Sequence, residues 1–224
     1  MGKKADLNAF HMEKIAQTAI KLFSENGVDA TSMDDIAKAA DYSKTTIYVY
    51  YKSKKHLHLT ITLKAIQLLL DYVKDGAAVK GDAIIKSIAI CTKFRYYSEK
   101  HPHYYNWIYQ ILSSDLDTRE EDSLVKSIFD VGEEIYEVIG EVIQTGKQQQ
   151  LFKEDLQVVA TTLLYSSILF NAIELANVKA KYINESTHMN IDDFLAFTFN
   201  IIISAIVKPS IDLSVYSKEK GYYI

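Results

Sequence analysis

Apolar residues return every three to four positions through most of the chain, the period of a helix with one buried face. Over residues 8–25 they are Met12, Ile15, Ala19, Leu22 and Phe23. Asn26-Gly27 ends this segment, because glycine reaches the left-handed conformation that closes a helix. Thr31-Ser32-Met33-Asp34 then reads as a capping box, a hydroxyl at the N-cap followed three residues later by a carboxylate. It opens a short helix over 32–40 with Met33, Ile36, Ala37 and Ala40 inward. Asp41-Tyr42 is a turn, and Ser43 caps a third helix over 44–50. Lys52-Ser53 breaks the pattern; Ser53 caps a long fourth helix that reaches about residue 74, where Asp75-Gly76 ends it.

Beyond Gly81 the same period predicts helices at 82–99, 102–113, 118–146, 154–182 and 190–207. Pro102 falls in a first turn, where the N–H it lacks has no intrahelical partner anyway. Gly146 punctuates the third of these five helices. No strand-like alternation and no repeat occur, and 210–224 is too mixed to assign. The prediction is an all-α chain of about nine helices. Its 2 prolines and 8 glycines agree, since both residues interrupt helices.

The last two helices are unusually apolar. Val158, Val159, Leu163, Leu164, Leu169, Phe170 and Ile173 occupy more than one side of 154–182. Phe194, Leu195, Ile201, Ile202 and Ala205, with Thr198, line 190–207. A stripe wider than one face needs two burial partners. A two-fold homodimer joined as a four-helix bundle provides the second; a monomer whose own core covers both faces is the other arrangement.

With 48% hydrophobic and 24% charged residues, the chain has the composition of a soluble globular protein. No uninterrupted run of about 18 apolar residues is present, so neither a membrane span nor a membrane partner is expected. Lys3 and Lys4 have no apolar region behind them, which is not the pattern of a signal peptide. The single cysteine, Cys91, has no internal disulfide partner. Together these features fit a cytoplasmic protein.

A net charge of −4 counts against nucleic-acid binding until the chain is divided. Residues 1–60 hold nine lysines and seven acids, whereas the remainder holds 16 basic and 22 acidic residues. A basic head on an acidic body is the electrostatic footprint of a DNA-binding module. Enzyme chemistry finds no foothold. There is no Gly-rich phosphate loop and no Ser nucleophile elbow. His101 and His103 merely flank Pro102, and His56 and His58 do not share a helix face. Neither a catalytic site, a metal site nor a cofactor is expected.

Two short helices joined by a tight turn, the second polar and aromatic, form a helix-turn-helix pattern, in which the second helix enters the major groove. The residues themselves are specific. Ile15-Ala16-Gln17-Thr18-Ala19-Ile20-Lys21-Leu22-Phe23-Ser24-Glu25-Asn26-Gly27 resembles the first helix of the TetR family. Ala30 to Ala40 resembles its second helix. Tyr42-Ser43-Lys44-Thr45-Thr46-Ile47-Tyr48-Val49-Tyr50-Tyr51-Lys52-Ser53-Lys54 resembles its recognition helix and the entry to helix 4. Asp41 stands where the family usually has a turn glycine, Thr45 where Gly or Ala is frequent, Val49 where His, Tyr or Arg is frequent, and Lys55 where Glu is frequent. Asp tolerates the left-handed region, so the turn survives; Thr45 and Val49 bear on which operator is read.

The resemblance implies a DNA-binding domain over 8–52 and a ligand-binding and dimerisation domain over 53–224. Thr31, Ser32, Ser43, Lys44, Thr45, Thr46, Tyr48, Val49, Tyr50 and Lys54 are the candidate DNA-contacting residues. Lys44 and Tyr48 suit phosphates; Thr45, Thr46 and Val49 suit a thymine methyl or a base edge. Lys54 opens helix 4 against its macrodipole, a local penalty that a DNA phosphate reverses. Ile47 and Tyr51, four apart, belong to the packed face. Residues 94–109 hold seven aromatics, about four times the local density expected from the 12% of the whole chain. By resemblance this region lines an inducer pocket. Tyr96, Tyr97, Tyr104, Trp107, Phe170 and Glu174 are its candidate residues, for an apolar or aromatic small molecule. Filling of core is the other role open to these rings. The implied function is a ligand-released repressor that binds a palindromic operator as a homodimer, the alternative a helical adaptor or ligand-binding protein that does not bind DNA.

Overall fold

A computed structural model describes residues 2–112 and 122–216, with side chains described over 5–109 and 122–216. The described residues form α1 (Gly2–Asn26), α2 (Met33–Ala40), α3 (Lys44–Tyr50), α4 (Lys54–Ala77), α5 (Ala83–Lys100), α6 (Pro102–Leu112), α7 (Ser123–Gln148), α8 (Val158–Thr187) and α9 (Ile191–Ile206). A short 3-10 turn follows at Leu213–Tyr216. Among the described residues there is no strand, and one isolated bridge pairs Phe152 with Val207. The all-α expectation holds. The expected start of a helix at 118 lies outside the described residues, as does the end of the chain beyond 216.

Two compact units are present. One holds the described parts of 1–65 and 106–128, the other those of 66–105 and 129–224. In the first, α1 packs on α2 and α2 on α3. Ile15, Ala19 and Phe23 from α1, Met33, Ile36 and Ala40 from α2, and Ile47 from α3 are buried. Gly27 takes φ 86° and its N–H bonds to Phe23 O at 2.9 Å, the helix stop read from Asn26-Gly27. Leu57 and Leu59 from α4, with Trp107 and Ile108 from α6, are buried in the same unit.

In the second unit α5 packs against both α8 and α9, which pack on each other. Several polar atoms carried into this interior are paired, as burial favours. Tyr165 donates to Ser87 O at 2.6 Å and lies 3.0 Å from Cys91 Sγ; Tyr105 donates to Phe170 O at 2.6 Å. Burial pushes the Cys91 thiol up to about 12, so this cysteine is an inert packing residue.

Several boundaries differ from the sequence expectation. Helix α1 begins at Gly2, six residues before 8. Helix α4 does not stop at Asp75-Gly76; it continues through Gly76 to Ala77. There the glycine allows close approach, since a Cβ would meet Ile90 Cα and N at 3.0 Å. Helix α8 begins at Val158, four residues later than 154. The acids Glu154 and Asp155 resemble a helical first turn, but they form a separate turn, because tertiary contacts pin the residues just before them. Lys153 N–H donates to Ile206 O and Lys208 N–H to Leu151 O, both at 2.9 Å. Finally, α8 runs on to Thr187 across non-helical geometry at Lys179.

Helix α8 is also long and apolar enough to cross a membrane, with mean hydropathy 1.5 over an 18-residue window. That amends the expectation from an uninterrupted run, because scattered Thr and Ser break the run without lowering the mean enough. Tyr165, Leu169, Ile173 and Ala176 on this helix are buried in the unit.

Candidate nucleic-acid interface

The second helix is capped one residue later than its sequence suggests. Ser32 is the N-cap of α2: its Oγ accepts from the Asp35 N–H at 3.2 Å. Asp35 Oδ2 accepts in return from the Ser32 N–H at 3.0 Å and the Ser32 hydroxyl at 2.6 Å. Those hydrogen bonds hold the Asp35 carboxyl below its usual range. Thr31 is displaced from the cap because its hydroxyl is used elsewhere. The residue is only 2% exposed, and Oγ1 donates to Gly27 O at 2.8 Å, closing the α1–α2 turn. Asp34, relieved of capping, is left on the surface.

The turn between α2 and α3 places Asp41 at φ 59°, ψ 48°, with its N–H directed at Ala37 O and Lys38 O. A residue other than glycine therefore holds the left-handed position, as expected of Asp. Ser43 caps α3 by accepting from Thr46 N–H at 3.0 Å, and the two hydroxyls lie 2.7 Å apart. Ile47 is fully buried, and Tyr51 donates to Met12 O at 3.1 Å, so the packed face of α3 is the one its four-residue spacing indicates. Burial pushes the Tyr51 phenol up to about 12. The opposite face carries Lys44, Thr45, Tyr48 and Val49, all exposed. Val49 is 76% exposed, a branched apolar side chain held in water by a helix fixed from behind.

Two lysines have partners that local sequence does not reveal. Lys44 Nζ lies 2.8 Å from Asp34 Oδ1 and 3.1 Å from Oδ2, which raises its pKa. Lys54 Nζ donates to Val28 O at 2.8 Å and Asp29 O at 3.2 Å, tying the start of α4 to the α1–α2 turn. His11, which sequence reading passed over, meets the turn residue Tyr42 by Nδ1···Oη at 2.6 Å, and its ring centroid is 5.7 Å from Tyr50. Lys14 Nζ sits 4.9 Å over the Tyr42 ring. The 31 residues between His11 and Tyr42 leave no local signal of this contact.

The family described as "Bacterial regulatory proteins, tetR family" matches residues 9–61, which are most of α1, all of α2 and α3, and the start of α4. Over those residues the chain is TetR-like in sequence as well as in helix order. Among curated relatives, the biofilm operon icaADBC HTH-type negative transcriptional regulator IcaR of Staphylococcus aureus (strain Newman) is 36% identical over 63 residues. That match covers 28% of this chain and 32% of the relative. IcaR of Staphylococcus epidermidis is 33% identical over 61 residues, 27% of this chain and 33% of the relative. The chain thus spans about a third of the length of the curated relatives it matches. Structural likeness reaches further. The ketosteroid transcriptional regulator KstR2 of Mycobacterium tuberculosis aligns with TM-score 0.67 at 16% identity, over 88% of this chain and 95% of the other. A tetR-family bacterial regulatory protein from Rhodococcus RHA1 aligns with TM-score 0.71 at 17% identity, over 88% and 97%. These neighbours share the fold of this chain, the α5–α9 region included.

The candidate ligand residues fall into three aromatic groups. Tyr96, Tyr97 and Tyr104 gather around Tyr72 and His101, with centroid separations of 5.5–6.0 Å. Phe170 instead packs on Phe94 at 5.2 Å and Tyr105 at 5.6 Å. Trp107 lies in the first unit, 5.8 Å from Phe23 and 5.7 Å from His58. Tyr97, Tyr104 and Phe170 are buried, whereas Tyr96 is exposed. Glu174 Oε2 is buried without a hydrogen-bond partner. Separately, a groove of about 390 Å³ opens between α7 and α8, lined by Tyr136, Glu137 and Leu163 among others.

Proposed function

We propose that this TetR-family chain is a transcriptional repressor that binds a palindromic DNA operator as a homodimer and is released by a small-molecule inducer. The observation that carries the reading is the outer face of α3. Ile47 and Tyr51 anchor the helix from behind, while Thr45, Tyr48 and the 76%-exposed Val49 point away from the core. Short polar groups and a branched methyl pair are what base edges and thymine methyls accept in the major groove. Ser43 and Thr46 serve α3 chiefly by capping it, and Ser32 and Thr31 serve the α2 entry; they position the reading face. The similarity to IcaR, a negative regulator, supports repression as the mode.

Dimerisation is supported by an uncovered apolar stripe. Val159, Leu163, Leu164, Ile168, Leu175 and Val178 are exposed along α8, with Phe197 and Ile201 exposed on α9. Monomeric soluble proteins rarely present so continuous an apolar surface. A second copy related by a two-fold axis covers it. The inducer site belongs to the α5–α8 region, where buried rings and the unpaired Glu174 oxygen suit an apolar or aromatic molecule with one polar handle. The division of labour is DNA binding by 8–52 and ligand binding and pairing by the remainder, in a protein of the cytoplasm. A mobility-shift assay on the DNA upstream of the protein's own gene tests the reading. A retarded band that disappears with scrambled competitor only at high excess is expected. No retardation by any upstream duplex, at low salt and with bound small molecules removed, overturns it.

A further inference from the structure

Asp34 is an anomaly on the proposed DNA-binding face. It is about half exposed, takes no part in the capping box, and directs its carboxylate at the first residue of α3. Its partner Lys44 is the cation best placed on α3 to meet a phosphate. The ion pair is doubly bonded, at 2.8 and 3.1 Å, and bridges two helices across ten residues of sequence. An acid held beside the recognition helix repels the DNA backbone and occupies the ammonium that would otherwise neutralise it.

We propose that Asp34 is an intramolecular competitor for Lys44 that lowers the affinity of this face for DNA; this rests on the DNA-binding reading above. In the free protein the carboxylate holds the ammonium, and Lys44 meets a phosphate only by giving up that pair. An exposed ion pair and an exposed phosphate contact are of similar, small strength, so the exchange nearly cancels and the phosphate contact of Lys44 adds little while Asp34 is present. Removing the carboxylate spares that exchange on any sequence, because a phosphate contact carries no base information. Because Asp35 and not Asp34 completes the cap, D34N leaves the capping hydrogen bonds of α2 in place.

The test is D34N, with K44A and the D34N/K44A double variant, titrated against operator and scrambled duplexes at several salt concentrations. D34N is expected to tighten binding to operator and scrambled DNA alike by about two- to five-fold, so the ratio of operator to random affinity stays the same. In the K44A background most of that gain disappears. The same gain with Lys44 absent overturns the proposal in favour of plain charge removal, as does no change at all. Failure of the unmodified protein to bind any duplex instead overturns the DNA-binding reading itself. Unchanged helicity and melting temperature of D34N exclude a folding defect; D34S serves as a second variant.

Discussion

At the scale of single residues, several side chains named for DNA turn out to hold the frame that presents the others. Lys54 is the sharpest case. Its family resemblance implies a phosphate contact, yet its ammonium already donates to Val28 O and Asp29 O at 2.8 and 3.2 Å. Charge-assisted hydrogen bonds of this kind contribute about 1.5–3 kcal/mol when shielded, and less here because the site is only half-buried. Lys54→Met is therefore expected to lower the melting temperature while leaving the salt slope of DNA binding unchanged. Calorimetry alongside salt titration checks this; a slope reduced by about 0.9 with unaltered stability would instead place Lys54 on a phosphate.

At the scale of elements, two packing relations yield predictions. Gly76 lies inside α4, where alanine is favoured by about 1 kcal/mol on helix propensity alone. The Cβ, however, would press on Ile90 Cα and N at 3.0 Å, backbone atoms with little freedom to yield. Overpacking of this type costs about 1–3 kcal/mol, so Gly76→Ala should destabilise the chain in denaturant melts; a gain in stability would show that α4 and α5 separate easily. His58 on α4 supplies the second. Its ring stands 6.0 Å from Phe23 and 5.7 Å from Trp107, and its Nε2 is buried without a hydrogen-bond partner. Burial lowers its pKa from the ordinary value of about 6.5; the charges of Asp29 and Lys54 act on it in opposite senses. The unfolded chain thus takes up this proton first. Stability from neutral His58 is complete above the ordinary value and is lost as pH falls through it towards the folded value. Trp107 is the single tryptophan and an imidazolium quenches indole, so its emission should fall over that acid range in the native protein and hold steady in His58→Leu. An identical pH profile in the variant would assign the quenching to another group.

These elements also show what was legible from sequence and what was not. The helices of the described residues and the packed face of α3 follow from periodicity, because a buried face imposes its spacing wherever it occurs. The capping box was misplaced by one residue because Thr31 and Ser32 are both competent caps. The choice between them depends on Gly27 O, a partner brought near only by the turn. Gly76 resembles a helix stop for the same reason: Ile90, which explains it, is distant in sequence. The pair Lys44–Asp34 joins α3 to α2 and His11–Tyr42 joins α1 to the α2–α3 turn, and nothing periodic announces them.

At the scale of the whole molecule, the exposed apolar stripe on α8 and α9 is the surface through which we propose that two copies pair. Leu164 lies near its middle and is 63% exposed, so a charge there disturbs no internal packing. Leu164→Glu is expected to convert the dimer to a monomer by light scattering at micromolar concentration, with helicity unchanged. An unaltered dimer mass would move the interface elsewhere. Loss of the dimer should also weaken operator binding sharply, since both half-sites, about 34–36 Å apart, must be held together.

The central claim is that the outer face of α3 reads DNA. Its most direct test is to titrate the unmodified protein and Val49→Ala against its upstream duplex and a scrambled one across a series of salt concentrations. The account predicts tighter binding to the upstream duplex by the unmodified protein. In Val49→Ala that preference narrows by about 1 kcal/mol, less than a bidentate contact supplies, while the salt slope on the upstream duplex does not change. A preference untouched by Val49→Ala, or equal affinity of the unmodified protein for both duplexes, would contradict it.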